Sequence, residues 1–131
     1  MKTKISGFVY WTPRILSILF VLFLMLFSLD VFGNGYTFWQ TVLGLIMHNI
    51  PAFILLAVLI ISWKREIVGG IVFTLAGLLY CLLTVIRAQS TLPLYMVILW
   101  ALPIAFPALL IGILFLVGWK KKRAGAGHKK K

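Results

Sequence analysis

Few side chains in this sequence can do chemistry, and they stand far apart. The chain has one cysteine, Cys81, two histidines, His48 and His128, and two acids, Asp30 and Glu66. Paired carboxylates, metal-ligand clusters, a Ser/His/Asp set and glycine-rich phosphate loops are all missing. Cys81 and His48 could in principle act as nucleophile and base, but nothing in their spacing demands it. The residues therefore point away from an enzyme, and no metal or cofactor is implied. His48 is the most informative of them, because imidazole changes charge near physiological pH. Its setting decides what it can do.

That setting is apolar. Of the 131 residues 63% are hydrophobic, and two acids face thirteen lysines and arginines, for a formal charge of +11. Such a composition lies outside the globular range and makes lipid the solvent for most of the chain. A helix crossing ~30 Å of hydrocarbon needs roughly 20 largely apolar residues. Four stretches satisfy this, at about 14–32, 38–63, 67–86 and 93–119. Thr12 and Pro13 can open the first, and Gly33-Asn34-Gly35 forces a turn after it. Thr37 with Gln40 fits a capping box for the second, which Lys64-Arg65-Glu66 ends. Ser90 or Thr91 can cap the fourth. The fold expected is an all-α integral membrane antiparallel four-helix bundle over residues 1–119, with a flexible polybasic tail over 120–131. The first span is not expected to be a cleaved leader, since bulky Asp30-Val31-Phe32 stands where small residues would be needed.

Every lysine and arginine except Arg87 falls on the side of the N-terminus, the 64–66 link and the C-terminus. The positive-inside bias then puts both ends in the cytoplasm of a cell (inner) membrane. Tyr10, Trp11, Tyr36, Trp39, Trp63, Tyr95 and Trp119 fall near span ends, at headgroup level. The basic residues flank the membrane and form no groove for nucleic acid. Arg14, Lys64 and Arg65 read as inner-face anchors that snorkel towards phosphates. The stretch from Lys120 to Lys131 is expected to bind anionic lipid. Asp30 and Arg87 share the outer boundary, where they form a weak pair or two solvated charges.

Helices in lipid associate through small residues and a few hydrogen bonds. In the third span Gly70, Thr74, Gly77, Cys81, Thr84 and Ala88 recur at steps of four and three, a seam for another span or for a second copy of the chain. In the second, Thr41, Gly44, His48, Pro51 and Ala52 share a face. His48 lies ~16 Å below Thr37, near mid-membrane, and the cost of a buried imidazole should turn it inward. Tyr80, Thr74, Cys81 or a freed carbonyl could pair with it. Pro51 frees the carbonyl of Met47, while Pro103 and Pro107 free those of Leu99 and Pro103. His48, Pro51, Tyr80, Cys81, Pro103 and Pro107 thus form a candidate midplane site, although kinked helices around a satisfied core histidine explain the same residues.

The runs Trp11-Thr12-Pro13-Arg14, Leu29-Asp30-Val31-Phe32, Phe38-Trp39-Gln40-Thr41, His48-Asn49-Ile50-Pro51 and Trp63-Lys64-Arg65-Glu66 with Gly69-Gly70 resemble a family of short, uncharacterised four-span membrane proteins of bacteria and archaea. The resemblance implies conserved roles for Arg14, Asp30, His48 and Pro51, and no activity. The leading functional expectation is a small structural, interaction or regulatory membrane protein. The alternative is an oligomeric small transporter or channel with His48 as its proton-sensitive group. Small multidrug exporters match the length and span number, but carry a glutamate inside the first span where this chain has only Asp30 near the edge.

Overall fold

The computed structural model describes residues 6–88 and 92–127. Helix α1 (Gly7–Leu26) runs into a 3₁₀ segment (Phe27–Gly33), and α2 (Phe38–Lys64), α3 (Glu66–Ala88) and α4 (Leu94–Gly127) follow. With the 3₁₀ segment counted into the first, all four helices are long and apolar enough to cross a membrane. Helices are the economical answer in hydrocarbon, because they satisfy backbone donors and acceptors within one segment.

The boundaries move at both ends of the chain. The first helix begins at Gly7, a full two turns before Arg14. Thr12 is therefore no cap: it sits inside α1, and its hydroxyl donates to the Phe8 carbonyl at 2.6 Å. At the other end, 120–127 is not a separate tail but the last turns of α4. The 34 residues of α4 measure ~51 Å, so its basic end projects well beyond ~30 Å of hydrocarbon. Lysines, arginine and alanine are adequate helix formers, which lets the helix continue there. Residues 1–5, 89–91 and 128–131, with the caps expected at Ser90 and Thr91, lie outside the described residues. At the start of α2, Gln40 Oε1 accepts from the Thr37 N–H at 3.0 Å, closing the capping box.

The helices form a ring in which α1 neighbours α2, α2 neighbours α3, α3 neighbours α4 and α4 returns to α1. The α3–α4 pair is the most intimate, and its glycines explain why. A Cβ on Gly70 would stand 2.5 Å from Leu116 Cδ2, and one on Gly77 would stand 2.9 Å from Leu109. Gly112 of α4 admits Thr74, whose hydroxyl donates back to the Gly70 carbonyl at 2.7 Å. The lower part of the third-span seam thus closes within one chain.

Packing is uneven along the membrane normal. Phe20, Val21, Ala52, Leu55, Leu59, Phe73, Ala108, Ile111 and Phe115 make the core, with Phe73 and Phe115 stacked at 6.1 Å. The buried residues of α2 begin only at Ala52, and those of α3 end at Gly77. No residue in 38–51 or 78–88 is buried. The bundle is tight towards the 64–66 link, hereafter the basic end, and loosely covered on the α2–α3 side at the far end.

Candidate functional site

The densest chemistry lies at the basic end, on residues that share no stretch of sequence. Arg65 leaves the helical region (φ −126°, ψ 82°) and terminates α2 after Lys64. One residue later Glu66 opens α3, where a carboxylate meets the positive end of the helix dipole. Its neighbour on α4 is Gly118. A Cβ there would come within 3.2 Å of Glu66 Oε2, so the absent side chain makes room for the acid.

Into this space Arg14 extends from α1. Its Nη2 donates to Glu66 Oε1 at 2.9 Å and to the Trp63 carbonyl at 3.2 Å, while Nη1 donates to the Tyr10 carbonyl. The guanidinium lies 3.7 Å over the Tyr10 ring and 5.7 and 5.9 Å from those of Trp63 and Phe115. Lys122 of α4 reaches the same Glu66 Oε1 at 2.8 Å. Side-chain exposure is 0% for Arg14 and 5% for Glu66, against 44% for Lys122. One carboxylate thus joins α1 to α3 across the diagonal of the ring and takes in α4, with α2 contributing through Trp63. Arg14 Nε and Glu66 Oε2 are buried without a partner among the described residues.

Arg14 is consequently not an anchor snorkelling towards phosphates. It points into the bundle because an acid at the start of α3 stands ready to pair with it. Lys64 and Arg65 are exposed beside the link. Glu66 is the residue that sequence reasoning missed, having been taken only as part of a helix stop. The available signal was that it is the sole acid among the basic residues assigned to this end.

The midplane set is not brought together. His48 is exposed, and Nδ1 meets the Gly44 carbonyl of its own helix at 3.1 Å. It lies on the same stripe as buried Ala52, Leu55, Leu59 and Ser62, but one turn beyond the last fully buried residue of α2, between Ala52 and Gly44, which packs against Val31. Pro51 and Pro103 are also exposed, while Pro107, Tyr80 and Cys81 are half-buried. Thr84 donates to the Tyr80 carbonyl at 2.7 Å. Next to His48, Asn49 donates to the Leu45 carbonyl at 2.9 Å and leaves Oδ1 buried without a partner among the described residues. Asp30 and Arg87 are both exposed and form no ion pair with each other among the described residues. The Asn34 side chain donates to the Asp30 backbone carbonyl at 2.9 Å.

This geometry ties the helices together at the basic end: Arg14, Glu66 and Lys122 join α1, α3 and α4. No curated protein and no solved structure matches the chain. A family model described as Domain of unknown function (DUF7670) matches residues 1–127, and the chain belongs to that family.

Proposed function

We propose that this small membrane protein works by interaction, pairing with a second copy of itself through the far half of α2. The observation that carries this reading is His48, exposed ~16 Å into the membrane on a helix half in which no residue is fully buried. A neutral imidazole that donates from Nδ1 presents Nε2 as an acceptor, and ionisable groups facing lipid are costly and rare. A second copy over this face would remove His48 from lipid. The basic end faces the cytoplasm of a bacterial-type inner membrane on this reading, and its lysines and arginines attract anionic lipid. A catalytic role is not part of it.

A photo-crosslinking residue placed at position 48 tests the reading in membranes. The expected product is an adduct of twice the chain mass, absent when the probe replaces Ile113 on the lipid-facing side of α4. Labelling of lipid alone from position 48 would count against self-association there.

Transport through His48 is the competing reading, and an imidazole at mid-depth favours it. Against it, Arg14, Glu66, Trp63 and Phe115 fill the basic end. The hydroxyls of Ser17, Ser62, Thr74 and Thr84 all donate to carbonyls of their own helices and line no path.

A further inference from the structure

Where α1 meets α4, a groove opens sideways towards the bilayer. Phe20 and Ile111 form its floor, the exposed side chains of Leu19 and Leu110 its rims, and Pro103 and Pro107 its far stretch. It holds about 260 Å³, below the ~300–1,000 Å³ of sites that enclose a drug-sized molecule. Every lining residue is apolar, so nothing within the groove can orient an occupant by hydrogen bonds. An aliphatic chain fits this description, provided that a group outside the groove holds its other end.

Such groups stand on the same face. Steps of four and three along α4 from Pro103 through Pro107 and Leu110 lead to Leu114, Val117 and Lys121. Lys122 lies beside Tyr10 of α1, its Nζ 5.2 Å from the ring. One of its three N–H groups goes to Glu66, and with 44% of the side chain exposed the others face outward. Glu66 is the only acid at this end and is already held by Arg14, while Asp30 is at the other. The face carrying the groove is therefore cationic at its basic end, ~15 Å along α4 from Ile111.

The spacing fits one leaflet. Half of a ~30 Å hydrocarbon core plus one headgroup layer of ~5–7 Å is about 21 Å. At ~1.5 Å per residue, Lys121 lies about 21 Å from Pro107, so a phosphate at the lysine would set the end of its acyl chain within the groove.

We propose that the α1–α4 face binds one anionic phospholipid, with an acyl chain in the groove and its phosphate on Lys121 and Lys122. This gives a defined site to the attraction between the basic end and anionic lipid. It does not involve the α2 face that carries His48.

The test is a titration of the delipidated full chain in detergent with phosphatidylglycerol or phosphatidylcholine of matched chains, bound lipid being counted by native mass spectrometry. The expected result is one phosphatidylglycerol held about tenfold more tightly than phosphatidylcholine, given the two lysines at the headgroup. Lys121→Glu should bring the two lipids to within about twofold of each other, because the phosphate loses one of its two lysines and meets a carboxylate in its place. Leu110→Trp, which fills the groove, should weaken both lipids while circular dichroism stays helical. Equal retention of the two lipids by the unaltered chain would overturn the proposal. So would unchanged phosphatidylglycerol binding in Leu110→Trp, which would mark a diffuse surface attraction, or full competition by chain-free glycerol phosphate. Crosslinking from position 48 should be unaltered in both variants, which separates this site from self-association.

Discussion

Replacing Glu66 with alanine is expected to be the most damaging single change in the chain. It leaves the Arg14 guanidinium buried with 0% exposure and without its counter-charge. Breaking a buried pair by removing one partner costs about 3–5 kcal/mol, because the surviving charge is neither solvated nor neutralised. Glu66→Gln should fall between, since the amide oxygen can still accept from Arg14 but carries no charge. Lys122→Met should lose little, under ~1 kcal/mol, because the Lys122 side chain is 44% exposed and Arg14 still neutralises Glu66. Unfolding by SDS titration in mixed micelles, followed by helical circular dichroism, gives the order Glu66→Ala, then Glu66→Gln, then Lys122→Met. If Glu66→Ala unfolds like the unaltered chain, the cluster does not hold the basic end together.

The second large effect is expected at Gly112→Val. A Cβ at that position would collide with Thr74 Oγ1 and stand 2.7 Å from the Thr74 backbone nitrogen. The hydroxyl can rotate away, but the backbone cannot, so α3 and α4 must separate. Overpacking of this kind costs ~1–3 kcal/mol and sometimes more. In lipid the loss falls on the close packing that drives helix association. Gly7→Val is the control, because a Cβ there meets nothing within 4 Å. The comparison is made in the same titration, and equal stability of the two variants would mean that α3 and α4 are not in intimate contact.

Much of the architecture was legible in the sequence, for reasons specific to membranes. Uninterrupted apolar length, the breaks at Gly33-Asn34-Gly35 and Lys64-Arg65, and the capping residues Thr37 and Gln40 locate four helices without knowledge of their packing. The small-residue stripe from Gly70 to Ala88 named a packing face, since in lipid only close approach rewards contact, but only its part from Gly70 to Gly77 closes on α4, and Cys81, Thr84 and Ala88 stay half-buried. It could not name the partner, because leucines such as Leu109 and Leu116 look alike on any helix. The start of α1 was misplaced because Tyr10 and Trp11 mark the interface yet continue the helix through it.

The site was less legible. An ion pair between residues 14 and 66 depends on how far each helix extends and how the ring is ordered, and neither follows from periodicity. Arg14 was assigned to headgroups because most arginines near a span end lie there. His48 was expected to turn inward on the cost of exposing it to lipid. It does lie on the inward stripe, but a stripe is covered only where neighbouring helices stay close, and α2 buries residues only from Ala52 onward. The same cost that misplaced it within one chain is now the reason to expect a second chain over it.

Proton flux into liposomes containing the purified chain, under imposed gradients of pH and voltage and compared with His48→Ala, tests most directly whether His48 serves contact or conduction. With the basic end filled by Arg14, Glu66 and their aromatic neighbours, the expected result is flux no greater than in protein-free liposomes for both forms. Flux that rises with the unaltered protein and is lost in His48→Ala would contradict this account and make His48 part of a transport path.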